Sequence, residues 1–353
     1  MMMAAGTGGH VFPALAVAKE LQQQGVQVSW LATPTGMENR LLKNHNIPIY
    51  QIDIQGVRGN GVVRKLLAPL KILKATLSAM RYMKQLNIDA VAGFGGYVAG
   101  PGGLAARALG IPVIIHEQNA IAGFTNTQLS RIAKTVCQAF PGTFAENAKI
   151  VTTGNPVRKE ITEILNPSWR YQEREKAAKP LQILIVGGSL GAQALNERVP
   201  EALKQLNVPM QVFHQCGQNH QDATQARYSN APATLQVEVR PFIEDMAKAY
   251  SDADLIICRA GALTVTEIAT AGVAAVFVPL PSAVDDHQTA NAKFLANINA
   301  AKICPQASMT VDHLKELLTP LMNRQLLSEM AVKARQKAQP DATQHVVRLI
   351  QEL

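Results

Sequence analysis

Three glycine-rich segments stand where an anion could be held: Gly6-Thr7-Gly8-Gly9-His10, the run GFGGYVAGPGG from Gly93 to Gly103, and Gly187-Gly188-Ser189-Leu190-Gly191-Ala192. Each follows an apolar run and precedes a segment of helical period. At such a turn glycine lets backbone N–H groups approach an anion, and the helix start adds about half a positive charge. Any α/β protein needs tight strand-to-helix turns, so one loop says little. Three carry more weight, and phosphate binding is assigned foremost to the third. Two stricter motifs fail. A dinucleotide fingerprint wants a third glycine where Val11 stands and an acid closing the second strand, which ends Trp30-Leu31-Ala32-Thr33. No Gly-Lys-Ser/Thr follows any loop, which excludes Walker A chemistry.

A second constellation follows the run Leu255–Cys258. Ala262 to Ala271 reads as a short helix whose first turn presents Leu263, Thr264 and Thr266, with Glu267 on the next. A carboxylate there can accept both hydroxyls of a ribose while the helix's first N–H groups meet phosphate. The same Glu267 also fits a plain helix-stabilising acid at the dipole's positive end. Further on, Gln288 begins a helix and its amide suits sugar hydroxyls, whereas Asp285 and His287 equally fit solvated caps. Asp252-Ala253-Asp254 is a D-x-D pattern, but it precedes a strand and reads as turn chemistry. His214, Cys216 and His220 lack matched zinc spacing. No metal or cofactor is expected.

These groups need two scaffolds. Short apolar runs alternate with helical-period segments throughout, the signature of parallel sheets covered on both faces. Strands are expected near 1–5, 26–32, 47–52, 88–93, 112–116, 135–139 and 149–152, then at 181–186, 209–214, 233–238, 254–258, 274–278 and 301–304. Turn chemistry at 153–156 closes the first half. The segment from there to Pro180 is expected to be too charged for a core. The expected domains are 1–156, with a final helix at 341–353 crossing back to it, and 157–340. The fold class is therefore α/β, with two Rossmann-like domains.

Length and charge agree. A chain of 353 residues exceeds one ordinary core. Its net charge of +8 lies in residues 1–157, which hold 14 Lys and Arg against 6 Asp and Glu, while the remainder is neutral. A one-sided positive field favours an anionic partner. No run of 18 apolar residues exists, the N-terminus lacks a signal peptide's basic region, and the four cysteines are far apart, so a cytosolic or peripheral protein with reduced thiols is expected. Gly61 to Leu86 combines leucines at helical spacing (Leu66, Leu70, Leu73, Leu77) with Arg64, Lys65, Lys71, Lys74, Arg81 and Lys84 and no acid. It suits an anionic lipid surface, although an apolar stripe also packs helices onto sheets.

Taken together, GTGGHVFPALAVA (6–18), GFGGYVAGPGG (93–103), HEQNAIAG (116–123), GNPVR (154–158), GGSLGA (187–192), PFIEDM (241–246), RAGALTVTEIATAG (259–272) and DDHQTANA (285–292) span the chain and are highly specific. With them the sequence resembles the MurG family, the bacterial peptidoglycan glycosyltransferases of the two-Rossmann-domain (GT-B) type. One departure is that the first strand begins almost at residue 1 and is short, which puts edge stability in doubt.

The resemblance implies inverting transfer of N-acetylglucosamine from UDP-GlcNAc to the C4 hydroxyl of an undecaprenyl-pyrophosphoryl-MurNAc-pentapeptide, between domains facing across a cleft. It implies peripheral attachment to the cytoplasmic side of the inner membrane. Thr7, Gly8 and Gly9 would line the sugar-diphosphate, and Asn119 would reach the N-acetylglucosamine. Arg158 and Ser189 would hold the diphosphate, and Ile243 would meet uracil through its backbone. Ala262, Leu263, Thr264, Val265, Thr266 and Glu267 would bind diphosphate and ribose, and Gln288 the sugar hydroxyls. His10 is the candidate general base, since a helix start disfavours imidazolium; the alternative is that it only bonds a loop carbonyl. The nearest rival is another GT-B enzyme such as a UDP-GlcNAc 2-epimerase. A nucleic-acid module is disfavoured by 5% aromatics and the lack of a recognition motif.

Overall fold

The computed structural model describes residues 1–54, 62–188, 190–281 and 286–353, with backbone alone at 62–67. Two compact units result: Met1–Val157 with Gln339–Leu353, and Arg158–Ala338.

In the first unit, β1 (Met2–Ala4), β2 (Trp30–Ala32), β3 (Ile49–Gln51), β4 (Val91–Gly95), β5 (Val113–Glu117), β6 (Thr135–Gln138) and β7 (Ile150–Thr152) form one parallel sheet. Their order is β3-β2-β1-β4-β5-β6-β7. In the second, β8 (Leu181–Val186), β9 (Met210–Gln215), β10 (Leu235–Arg240), β11 (Leu255–Cys258), β12 (Ala274–Phe277) and β13 (Ala301–Ile303) are likewise parallel, ordered β10-β9-β8-β11-β12-β13. Both are doubly wound, with the strand order reversing beside the first strand, where such sheets bind ligands at their carboxyl ends. Continuous apolar runs make the central strands because helices cover both sheet faces; Ile183, Ile185, Leu255 and Ile257 are all buried in one core.

Three local expectations change. The short β1 is interior, not an edge: Met2 pairs with both Trp30 and Ala92, so both sides of its ladder are used. The segment read as too charged for a core contains the helix Pro167–Lys176, started by the Asn166 cap and Pro167, and it buries Arg170 and Tyr171. Arg170 donates to the carbonyls of Ala271 (2.6 Å), Gly272 (2.7 Å) and Ser251 (2.9 Å), and Tyr171 donates to Asp254 O at 2.6 Å. A buried charge is tolerated when its donors are all used. The helix Gln221–Arg227 was also not anticipated from the sequence.

The last helix, Ala342–Gln351, lies on the helix Gly8–Gln23 and adds Val346 and Val347 to the first unit's core. The helix Val62–Gln85 packs through Ala75, Ala79 and Met83, whereas Leu70, Leu73 and Leu77 are 65%, 56% and 57% exposed beside exposed Lys71 and Lys74. Those leucines therefore do not pack the helix onto the sheet. Leu66, Arg64 and Lys65 fall outside the described side chains. Among the described residues no helix is long and apolar enough to cross a membrane.

Candidate functional site

In the second unit the described predicted residues follow the carboxyl ends of β10 (Ile243), β11 (Ala262 to Glu267) and β12 (Gln288), and Arg158 joins them at Glu267. The loop after β8 turns through Gly187, Gly188 and Gly191 into the helix Gln193–Leu203. Gly191 has φ +77°, and a Cβ there would overlap the carbonyl of Cys216, so only glycine fits. Ser189, expected to hold phosphate, lies outside the described residues, as does Asp285. Gln215, the last residue of β9, is buried and clamps this loop. Its Oε1 accepts from Gly188 N (3.1 Å), and its Nε2 donates to Gly188 O and Pro241 O, both at 2.9 Å. One side chain thus ties the glycine loop to the loop carrying Ile243, which is itself buried. Sequence reading missed Gln215, since a glutamine ending a strand has no signature.

The helix Ala262–Ala271 begins at Gly261 directly after β11. Glu267 lies on its second turn, its side chain 13% exposed. Arg158 donates from Nη2 to Glu267 Oε1 at 3.0 Å, and Tyr250 donates from its hydroxyl to Oε2 at 3.0 Å. Burial raises the Glu267 carboxyl above its ordinary value, and the Arg158 guanidinium and the Tyr250 hydroxyl offset only part of that rise. Thr264 is half-buried, while Ala262, Val265 and Thr266 are buried; Thr266 donates to Ala262 O and serves the helix. Gln288 accepts at Oε1 from Ala260 N (3.2 Å) and Leu280 N (3.0 Å), which places its amide against the start of this helix. Arg259 steadies the same turn through Val278 O (3.0 Å) and Gln306 Oε1 (2.6 Å).

The D-x-D and histidine patterns resolve as structural. Asp254 is fully buried, ion-paired with Arg174 at 2.8 Å and Arg324 at 3.3 Å. His214 uses both ring nitrogens, to Tyr228 Oη and Asn196 Oδ1, each at 3.0 Å. Asn196 in turn donates to Cys216 O at 2.9 Å, behind the glycine loop. Burial depresses the His214 imidazole to about 3, so it is neutral.

In the first unit the loop Gly6–Gly9 follows β1 and opens the helix Gly8–Gln23, with Thr7 at its N-cap. His10 Nδ1 lies 3.3 Å from both Ala5 O and Thr7 Oγ1. A carbonyl only accepts, so the neutral tautomer that uses the Ala5 contact carries its proton on Nδ1 and its lone pair on Nε2, whereas in the other tautomer Nδ1 accepts from Thr7 Oγ1. The carbonyl contact expected as an alternative is therefore present, and it leaves the basic nitrogen on the other side of the ring. An acid absent from the end of β2 in the sequence arrives from the helix Met37–Leu41: Glu38, fully buried, accepts from Thr33 N (2.9 Å), Thr33 Oγ1 (2.8 Å) and Gly6 N (3.3 Å). Asn119 follows β5, and both its N and Nδ2 donate to Glu117 Oε1, at 2.9 and 3.2 Å. Glu117 also accepts at Oε2 from Asn126 (2.9 Å) and Gly123 (3.1 Å). His116, stacked on Phe94, meets Gly154 O through Nε2 at 2.9 Å and is depressed to about 4 by burial.

Two doubly wound units, each with a glycine loop at its switch point, make up the described chain. The profile of the glycosyltransferase family 28 N-terminal domain matches residues 1–138, and that of the glycosyltransferase family 28 C-terminal domain matches residues 182–346. The chain belongs to glycosyltransferase family 28. Within it, the chain is 80% identical over 353 residues, all of this chain and 97% of the relative, to a UDP-N-acetylglucosamine--N-acetylmuramyl-(pentapeptide) pyrophosphoryl-undecaprenol N-acetylglucosamine transferase of Acinetobacter baumannii strain AYE. A protein of the same description from Psychrobacter cryohalolentis is 52% identical over 99% of this chain and 97% of its own length. The crystal structure of Acinetobacter baumannii MurG matches with TM-score 0.90 at 77% identity, covering 100% of this chain and 99% of that one. A UDP-GlcNAc 2-epimerase from Neisseria meningitidis bound to UDP-GlcNAc shares the fold alone, at 14% identity and TM-score 0.66.

Proposed function

We propose that this family 28 chain transfers N-acetylglucosamine from UDP-GlcNAc to the C4 hydroxyl of the muramyl sugar in undecaprenyl-pyrophosphoryl-MurNAc-pentapeptide, giving the β-1,4-linked precursor of peptidoglycan. The observation that carries this reading is the 80% identity, end to end, to a transferase described by that donor and acceptor. In the second unit, the Gly187–Gly191 turn and the first N–H groups of the Ala262–Ala271 helix hold the diphosphate with Arg158 and Ser189. Glu267 takes the ribose hydroxyls, Ile243 the uracil through its backbone, and Gln288 the sugar. Leu263 and Thr264, both partly exposed on the first turn, lie against the diphosphate and ribose, and the buried Val265 serves them through its backbone.

In the first unit Thr7, Gly8 and Gly9 serve the sugar next to its diphosphate, and Asn119 serves the N-acetylglucosamine. The acceptor oxygen attacks C1 as the C1–O bond to UDP breaks, with the electron pair leaving on the diphosphate. The hydroxyl proton passes to His10 Nε2, the nitrogen that the contact with Ala5 O leaves unprotonated. Inversion follows from a single in-line displacement. The exposed Leu70, Leu73 and Leu77 beside Lys71 and Lys74 support docking on the anionic cytoplasmic face of the inner membrane, where the lipid acceptor resides. The product would feed wall growth, cell shape and division.

The test is transfer of labelled N-acetylglucosamine with and without the lipid-linked muramyl pentapeptide. Label should enter the lipid only when acceptor is present. Interconversion of UDP-GlcNAc in the absence of acceptor would instead favour an epimerase.

A further inference from the structure

The carboxylate of Glu267 is held from two sides, and the two partners differ in kind. Arg158 reaches Oε1 with a side chain that is 42% exposed, and it can leave toward an arriving phosphate. Tyr250 reaches Oε2 from within the helix Met246–Asp252, is 1% exposed, and has no room to leave. Burial, reinforced by the charge of Glu267, pushes the Tyr250 phenol well above its ordinary range, so it is always the donor in this contact. Each oxygen of an ionised carboxylate has two lone-pair sites. With one taken on Oε2 by Tyr250, the plane of the carboxylate is set, and one site on each oxygen remains directed elsewhere.

We propose that Tyr250 is a positioning residue that fixes the Glu267 carboxylate for a vicinal diol and thereby sets the preference for ribose over deoxyribose nucleotides. This rests on the reading of Glu267 as the ribose acceptor. A carboxylate free to rotate about its last bond loses most of the advantage of a second hydroxyl, because two hydrogen bonds then require an ordering step. The Tyr250 hydroxyl and the Arg158 guanidinium both favour the ionised form of Glu267 against burial; Cys258, which also faces Tyr250, is neutral because burial raises its thiol. Removing the hydroxyl therefore raises the pH below which the diol is no longer bound.

The experiment is calorimetric titration of UDP and 2′-deoxy-UDP into the wild-type protein and Tyr250→Phe, from pH 8 downward. The wild type should prefer UDP. In Tyr250→Phe that preference should fall about five- to tenfold, as for loss of one ordinary hydrogen bond, and the pH midpoint of UDP binding should move up. A merely structural role would lower the Tm and leave both the ratio and the midpoint in place, and that result overturns the proposal. A wild type that fails to distinguish the two nucleotides removes the ribose reading of Glu267 first. Should Tyr250→Phe not fold, a difluorotyrosine placed at 250 keeps the shape and donates more strongly. The midpoint must then move down, and an unmoved midpoint overturns the proposal.

Discussion

The two units share a strand order yet organise their ligand-side loops with opposite chemistry. In the first, buried carboxylates gather the loop N–H groups: Glu38 takes Gly6 and Thr33, and Glu117 takes Asn119 and Gly123. In the second, neutral carboxamides do that work: Gln215 takes Gly188, and Gln288 takes Ala260 and Leu280. A carboxylate cancels the positive field of a glycine loop and helix start, whereas an amide leaves it intact for an incoming anion. On the proposed function, this difference prepares the second unit for a diphosphate, its one ligand-side carboxylate named above, Glu267, being paired with Arg158, and the first for uncharged sugar and hydroxyl groups. On that reading the shared fold does not separate the two roles, and the charge on these four side chains does.

The comparison breaks most sharply if its sign is reversed. Gln215→Glu places an anion beside Gly188 and should weaken UDP binding about a hundredfold. Gln215→Ala, which only unties the Gly188 and Pro241 loops, should cost about tenfold, as for one or two lost hydrogen bonds. Titration calorimetry on both variants decides it, and equal losses would show that charge is irrelevant. The reciprocal change, Glu38→Gln, should cost about 1–3 kcal/mol in urea unfolding through the mispaired Gly6 N–H, with UDP affinity unchanged.

Each unit also hides a neutral histidine, which gives a pH test. His116 and His214 are depressed to about 4 and about 3 by burial. The unfolded chain binds protons on them below about 6.5, where the folded chain does not, so stability is intact above that pH and falls as pH drops below it. The slope should be about 1.4 kcal/mol per pH unit for each histidine. His116→Gln and His214→Gln should each flatten the profile between pH 6.5 and 4, with His214→Gln also loosening the glycine loop through Asn196. The smallest effect expected is at the surface. Leu73→Ser should reduce binding to anionic vesicles severalfold without changing Tm, because Leu73 is 56% exposed.

Much of this was legible in the sequence for physical reasons. Strands such as β8 and β11 are continuous apolar runs because both faces are covered, and the Ala262–Ala271 helix is announced by Gly261 and closed by Gly272. What stayed hidden were polar groups whose partners are remote in the chain. Arg170 and Arg174 made their helix look solvated, yet their partners lie some 80 to 100 residues away at Ser251, Asp254 and Ala271. Tyr250, Gln215 and Glu38 carry no spacing signal, because their roles arise only once loops from different strands meet. The stripe Leu70, Leu73, Leu77 indicated a helix but not which face it turns outward, since Ala75, Ala79 and Met83 obey the same period.

The measurement that bears most directly on the account is a crystal structure with UDP-GlcNAc bound. The account predicts diphosphate against Gly188 and the start of the Ala262–Ala271 helix, with both ribose hydroxyls on Glu267. Diphosphate density on the Gly6–Gly9 loop, beside the buried Glu38 and away from Gly188, would contradict it.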